Sequence, residues 1–336
     1  MNTAAADIPV RTGTVQDAFS RHPLSWIDTL PWIAALGLYF AFPGYLALGT
    51  QVMIQATFAL ALDLALGFGG VASLGHAAFF GIGAYSAALY ALHVSSEPIS
   101  GLAVAAVAGG VSALLVGPVI LRTRGITLVM LTLAVATLLQ NLANSFDAVT
   151  GGANGLMGYP VAPLFGTFTF DLFGNTAYWY AAGVMAVVFF LSKALVNSPF
   201  GLTIRGIREN QVRMRMLGVP VVKRLVLLYV ISGAFAAVAG AESAQVTTLV
   251  GLDSLAFSLS GNVLVMLILG GIGSLYGAFL GSFLFVVLSD RAAAVDPFNW
   301  LFAVGIVLVL AVRYAPNGIV GLVERAAAKL GRRPLP

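Results

Sequence analysis

The sequence predicts an all-α, polytopic membrane protein, and its composition supplies the evidence. Only 9% of the 336 residues are Asp, Glu, Lys or Arg, against about 25% in an ordinary soluble domain. Hydrophobic residues make up 59% of the chain and the mean hydropathy is +0.95, so a water-soluble fold could not cover its apolar surface. The apolar runs are long and continuous, whereas membrane β-barrels alternate apolar and polar residues in short segments.

About ten segments are apolar enough to form transmembrane helices, each needing roughly 20 residues. They are predicted at 30–48, 50–67, 72–92, 100–121, 126–143, 176–195, 224–245, 256–270, 275–290 and 298–314. These spans form one transmembrane domain over 29–322. The polar segment 1–28 lacks the apolar core of a signal peptide, and we expect it and the tail 323–336 to be cytosolic.

The basic residues support an even number of spans. With the N-terminus in the cytosol and ten alternating spans, every one of the 17 Lys and Arg residues except Arg291 falls on the cytosolic side, as the positive-inside rule requires. This distribution predicts that both termini are cytosolic. It also accounts for the pI near 9.5 without nucleic acid as a partner.

Two loops are long. The loop 144–175 is predicted outside, and the loop 197–224, which is rich in arginine, is predicted inside. Within the second loop, "IRENQVRMRMLGV" mixes apolar and basic residues and predicts one short amphipathic helix. Gly218 ends it and Pro220 prevents its continuation. Such a helix either rests on the membrane surface or docks into a groove of a partner.

Glycine is concentrated inside predicted spans. "GGVASL" at 69–74 has a partial copy, "GGIGSL", at 270–275, which predicts an internal repeat with two broken, glycine-rich helices. Helices broken by glycine form the substrate sites of many transporters built from repeats. On the ten-span count both copies run in the same direction, and a miscounted span would make them inverted. The small residues Gly75, Ala78, Gly81 and Ala84 instead favour close helix packing.

Three of the ionisable residues in predicted spans are candidates for function. Asp63 is either a pathway residue or a structural carboxylate bonded to a neighbouring helix end. His76 either binds substrate or packs with a hydrogen bond, and Glu242 either lines a vestibule or is an interfacial polar residue. With the two glycine motifs, the candidate substrate pathway is Asp63, Gly69, Gly70, Ser73, His76, Glu242, Gly270, Gly271 and Ser274.

Several kinds of chemistry are excluded or disfavoured. The chain has no cysteine and three scattered histidines, so thiol catalysis and a metal site are not predicted. No Gly-x-x-x-x-Gly-Lys-Ser/Thr motif is present, and no catalytic set is recognisable. We therefore expect no cofactor on this chain and no enzymatic activity, with any ATP hydrolysis on another subunit.

Six stretches in this order carry a resemblance to a known family. They are "ALDLALGFGGVASLGHAAFFGIGAY", "LTLAVATLLQNLANSFDAVTGGANGL", "SPFGLTIRGIRENQVRMRMLGV", "ISGAFAAVAGA", "LGGIGSLYGAFLG" and "RYAPNGIVGL". The chain resembles the permease subunits of bacterial branched-chain amino acid ABC importers. Urea importers and aromatic-acid importers look similar in the same frame.

The resemblance implies an importer permease fold in the bacterial inner (plasma) membrane. It implies three kinds of protein partner besides membrane lipid: a second homologous permease, two cytosolic ATPase subunits and an external substrate-binding protein. It also implies that the loop 197–224 holds the helix that couples to the ATPase. The residues carried over are Arg205, Arg208, Glu209, Asn210, Met216, Leu217 and Gly218.

The implied function is ATP-driven uptake of branched-chain or related hydrophobic amino acids by alternating access. Within this importer class, urea, short amides and aromatic acids are alternative substrates. An ion-coupled secondary transporter is the alternative from another class, and it would need no docking helix. The family usually has alanines before "LG", whereas this chain has "RMRMLG", which predicts a more basic docking surface.

Overall fold

The computed structural model describes residues 43–170, 174–297, 299–314 and 318–321, together with five positions between Trp32 and Phe40 that are helical. The predicted cytosolic segment 1–28, the tail 323–336 and most of the first predicted span, 30–48, lie outside the described residues.

The described chain is largely helical. The helices, numbered in chain order with the single turn Asp147–Thr150 left unnumbered, are α1 (Leu46–Asp63, continued by a π-helical turn Leu64–Phe68), α2 (His76–His93), α3 (Pro98–Ile120), α4 (Ile126–Ser145), α5 (Asn175–Val196), α6 (Pro199–Glu209), α7 (Gln211–Met216), α8 (Val221–Thr247), α9 (Phe257–Gly270), α10 (Leu275–Val295) and α11 (Trp300–Tyr314). Two short antiparallel strands, β1 (Leu156–Met157) and β2 (Leu249–Val250), pair Leu156 with Val250.

Nine of these helices coincide with the second to tenth predicted spans. Among the described residues, six helices are long and apolar enough to cross a membrane: α1 with its π turn, α3, α4, α5, α8 and α10. The helices α9 and α11 are apolar but shorter, and α2 is not among the six. The structure therefore supports a polytopic membrane protein, while the count of ten spans and the internal repeat stay predictions.

Two helices, α1 and α8, form the centre of the bundle. The apolar stretch of α1 is 78% buried, against 17% for α4. Helix α8 packs on α2 and α3, and α1 packs on α5, α8 and α10. A side chain on Gly83 or Gly240 would run into the backbone of the facing helix, so glycine brings α2 and α8 into close contact.

The predicted small-residue face of α2 makes close contacts with its neighbours. Gly75 abuts Thr132 of α4, and Gly81 abuts Leu255 in the turn before α9. Ala84 lies against Gly240 of α8, where Gly83, which was not in the predicted set, also makes close contact. The face is buried and serves more than one neighbour.

The loops gather at two ends of the bundle. At one end, called the α6 end, Arg208 reaches Gly67, and Gly273 lies beside both residues. At the other end the β1–β2 pair fastens the loop 144–175 to the end of α8. The described Lys and Arg residues lie toward the α6 end, except Arg291, which stacks on Tyr45 with its guanidinium carbon 5.3 Å from the ring centre.

Candidate transport site and coupling segment

The segment predicted as one amphipathic helix is two helices, so that prediction was wrong in its detail. Asn210 has an extended backbone (φ −155°, ψ 99°) that ends α6, and its side-chain Oδ1 accepts a hydrogen bond of 2.9 Å from the Arg213 amide at the start of α7. Asparagine favours this N-cap position because its side chain pairs a backbone amide that lacks a helical partner. Gly218 has a left-handed φ of 79°, as expected of a helix stop.

Helix α6 is anchored to the bundle. Ser198 caps its N-terminus, Pro199 begins it, and Ile204 and Ile207 are buried. Its two arginines are exposed but each contacts the bundle. The Arg205 guanidinium carbon lies 5.7 Å from the centre of the Phe68 ring, an aromatic contact typical of cation–π pairs. Arg208 donates a hydrogen bond from Nη1 to the Gly67 carbonyl.

Helix α7 is exposed. The side chains of Met216 and Leu217 are 84% and 70% exposed, and Val212 is exposed beside them. Apolar side chains this exposed on a short basic segment indicate a contact surface. The predicted coupling residues thus form two groups. Arg205 and Arg208 contact the bundle, whereas Met216 and Leu217 face away from it.

Glu209 is the last residue of α6. The break at Asn210 removes the helical spacing between Glu209 and Arg213, which lie on different helices. Among the described residues Glu209 makes no ion pair in the structure.

The first glycine motif follows a π-helical turn. The turn Leu64–Phe68 ends α1, Gly69 follows it, and Gly70 takes a left-handed φ of 67° before the chain enters α2. A side chain on Gly70 would come 3.2 Å from Arg208 Cγ. The break predicted from the Gly-Gly pair is therefore present, and α6 packs directly against it.

The second glycine motif also breaks the chain. Gly271 has φ 120° and Gly273 has φ 84° between α9 and α10. A side chain on Gly318 would strike the backbone at Gly270 and Gly271. Ser274 then caps α10, its Oγ accepting a hydrogen bond of 3.3 Å from the Gly277 amide.

Asp63 joins the two motifs. Its Oδ1 accepts a hydrogen bond of 2.7 Å from the Gly273 amide, 210 residues away in the chain. The carboxylate is fully buried, and Arg208 lies within electrostatic range of it. This contact matches the structural alternative, a carboxylate bonded at a neighbouring helix end.

His76 belongs to a series of hydrogen bonds inside the bundle. Its Nε2 is 2.7 Å from the Ser232 hydroxyl, which donates a 2.6 Å hydrogen bond to the Ala61 carbonyl. The ring packs edge-on against Phe79 and Tyr229. Its Nδ1 has no partner among the described residues. Ser73 contacts the Gly75 amide at 3.3 Å and does not bond His76.

Glu242 is buried near the opposite end of the bundle. Both of its carboxylate oxygens lack a partner among the described residues. One turn later, Gln245 receives a hydrogen bond from the Tyr180 hydroxyl and donates one of 2.9 Å to the Pro98 carbonyl. Glu242 is therefore separated from the Asp63 and His76 groups, so the predicted pathway residues do not form one site.

The loop 144–175 is pinned beside this second group. The Tyr159 hydroxyl donates a 2.5 Å hydrogen bond to the Ala244 carbonyl. Burial raises the pKa of the Tyr159 phenol above its ordinary value, so this hydroxyl remains a donor even in alkaline solution. Among the described residues no three metal-ligating side chains come together.

Comparison with known proteins decides the family. A family model described as the permease component of branched-chain amino acid transport systems matches residues 44–312. The chain belongs to this family.

Relatives agree with this assignment. The high-affinity branched-chain amino acid transport system permease protein LivM of Escherichia coli is 30% identical over an alignment of 319 residues, and the match covers 86% of this chain and 74% of that protein. The protein of the same name from Salmonella typhimurium is 29% identical over an alignment of 303 residues, and the match covers 82% of this chain and 70% of the relative. No solved structure matches the chain. This protein is thus a membrane permease and not an enzyme.

Proposed function

We propose that this permease is the membrane subunit of an ATP-driven importer for branched-chain or related hydrophobic amino acids. Its partners in this proposal are a second homologous permease, two cytosolic ATPase subunits and an external substrate-binding protein, in the bacterial inner membrane. ATP is used by the partner subunits, and substrate passes by alternating access. Family membership supports the substrate class.

One observation carries the coupling part of the proposal. Arg208 of α6 donates a hydrogen bond to the Gly67 carbonyl and lies beside Gly70 and Gly273, one from each glycine motif. On the other side, Met216 at the end of α7 and the following Leu217 are exposed. A segment anchored on one side and apolar on the other suits a helix that docks in an ATPase groove and passes its movement to the bundle. The exposed Arg213 and Arg215 on α7 would orient it by charge.

The test replaces both apolar residues in Met216→Asp/Leu217→Asp. We expect the ATPases to dissociate or hydrolysis to uncouple from uptake, because two carboxylates cannot enter an apolar groove without losing their hydration. ATPase association, substrate-stimulated hydrolysis and leucine uptake are measured in nanodiscs and proteoliposomes. Val94→Asp, an equally exposed apolar position beyond α2, is the matched control and should leave all three unchanged.

The outcomes separate the candidate functions. Unchanged association and hydrolysis in the double variant would remove α7 from coupling. Purification of the permease without ATPases, together with uptake driven by an ion gradient, would favour a secondary transporter. Competition by urea, short amides or aromatic acids, but not by leucine, would move the substrate to another branch of the importer class.

The orientation in the membrane is a further part of the proposal. The α6 end carries nearly all the described basic residues, so the positive-inside rule places it in the cytosol with both termini. A reporter fused after Arg224 should read cytosolic and one fused near Gly155 external. The reverse pattern would contradict the orientation and the ATPase docking that depends on it.

A further inference from the structure

A polar cleft of about 350 Å³ opens among α1, α9, α10 and α11. It lies apart from the Asp63, His76 and Glu242 groups, and none of its residues belongs to the predicted pathway. Its lining is Gln51, Gln55, Asn262, Met266, Phe285, Val286, Ser289, Asp290, Ala293 and Trp300.

Two polar atoms at this cleft lack partners. Gln55 Oε1 and Ser289 Oγ are buried and make no hydrogen bond to any described residue. Buried polar atoms in native proteins are nearly always hydrogen-bonded, and a membrane interior offers no bulk water to replace the partner. An unsatisfied pair on facing helices therefore indicates a ligand or water that the cleft accommodates.

The lining has a definite chemical character. Asp290 offers a carboxylate at the exposed mouth, and Gln51, Gln55 and Asn262 offer amides that donate and accept. Met266, Phe285 and Trp300 supply apolar surface. The lining contains no Lys or Arg, so a ligand with a net negative charge would have no cationic partner there.

We propose that this cleft binds the transported amino acid as a zwitterion. The ammonium group of the substrate donates hydrogen bonds to Asp290 and Gln55 Oε1, and its carboxylate receives hydrogen bonds from side-chain amides and Ser289. The apolar side chain of the substrate lies against Met266, Phe285 and Trp300. The proposal rests on the proposed function and adds to it the place and the groups that recognise the substrate.

The cleft shares its helices with the glycine motifs. Gln55 precedes Asp63 on α1 by eight residues, which is about 12 Å along the helix, and Asp63 contacts the second motif through the Gly273 amide. Asn262 precedes Gly270, the first residue of the second motif, by the same distance on α9. Movement of α6 passed through Arg208 to either motif would therefore shift the helices that line the cleft.

The absence of cysteine from the chain allows a direct test in the assembled importer. Ala293→Cys places a single thiol in the cleft, and Ala294→Cys places one on the adjacent residue, which is exposed and does not line it. Labelling by a water-soluble maleimide is timed with and without leucine. We expect leucine to slow labelling of Ala293→Cys, by about tenfold at ten times its dissociation constant, and to leave Ala294→Cys unchanged.

Two further changes test the chemistry. In the Ala293→Cys background, Asp290→Asn and Gln55→Leu should each weaken the protection by leucine. Thermal stability should hold in Gln55→Leu, because the amide oxygen it removes has no partner. 4-Methylpentanoate, which is leucine without its ammonium group, should not slow labelling of Ala293→Cys when Asp290 and Gln55 are both intact.

The failures can be told apart. If the wild-type importer takes up leucine but leucine does not protect Ala293→Cys, or protects it equally in both variants, the cleft is not the binding site and the proposed function stands. If the wild-type importer takes up none of the branched-chain or hydrophobic amino acids, both proposals are wrong.

Discussion

The two glycine motifs share the pattern Gly-Gly-aliphatic-x-Ser-Leu, yet they fold differently. In the first, one glycine takes a left-handed φ, and α2 begins only at His76. In the second, two glycines have positive φ, and α10 begins at Leu275, immediately after its serine cap. The position of Gly273 is occupied by Ala72 in the first motif, so that motif cannot adopt the second backbone turn without strain.

The two motifs also contribute different groups to the contact between them. The first is preceded by Asp63 and supplies the carboxylate, whereas the second supplies the Gly273 amide that binds it. The Gly67 carbonyl then receives Arg208 from α6. The two motifs thus contribute different groups to one contact.

The largest expected effect comes from the second motif. Gly271→Leu and Gly70→Leu should both impair transport, and Gly271→Leu should be worse. A φ of 120° is open almost only to glycine and costs other residues about 1–3 kcal/mol, whereas a φ of 67° is accessible to asparagine. Thermal stability and uptake are measured for the leucine variants and for the pair Gly70→Asn and Gly271→Asn. Equal losses in the asparagine pair would show that the two breaks are equivalent.

An intermediate effect is expected at the bridge between the motifs. Asp63→Leu leaves the Gly273 amide without its acceptor, a loss of about 1–3 kcal/mol. Asp63→Asn keeps a side-chain oxygen there and should be milder. Unfolding in detergent compares the two variants with the wild type. A loss in Asp63→Asn as large as in Asp63→Leu would mean that the negative charge beside Arg208, and not the hydrogen bond, holds the motifs together.

The smallest effect concerns the serines. Ser274→Ala removes a helix cap and should cost about 1 kcal/mol, and Ser274→Asp should retain the cap. Ser73 is buried and does not cap α2, so Ser73→Asp should destabilise the protein where Ser274→Asp does not. The same unfolding assay measures all three variants. Similar tolerance of aspartate at both positions would contradict the structural difference between the motifs.

The sequence predicts the helices well because long apolar runs need no distant partner to be recognised. The broken helices also follow from local chemistry, since paired glycines weaken a helix wherever they occur. The kink at Asn210 escaped prediction because "RENQVR" is compatible with a continuous helix, and only its side-chain cap separates α6 from α7.

The contacts of the candidate site could not be predicted from the sequence. The partner of Asp63 is a backbone amide in a distant motif. Because every residue except proline has such an amide, the sequence does not show which one Asp63 binds. Gln51 and Gln55 are single amides in an apolar run, a pattern shared by ordinary packing residues. Their role in the cleft depends on Ser289 and Asp290, which come close to them only in the folded bundle.

The burial of α1 has a consequence for how the protein is made. With its π turn, α1 has the lowest mean hydropathy of the six long apolar helices, 1.5, and the largest buried share, 78%. A helix enclosed by protein need not suit lipid, and Asp63 and two glutamines make it a poor partner for hydrocarbon. We expect α1 expressed alone to insert inefficiently and to be retained in the bilayer once α5, α8 and α10 surround it. Glycosylation mapping of successively longer chains would show α1 fixed across the membrane only in chains that include the helices around it. Efficient insertion of isolated α1 would refute this expectation.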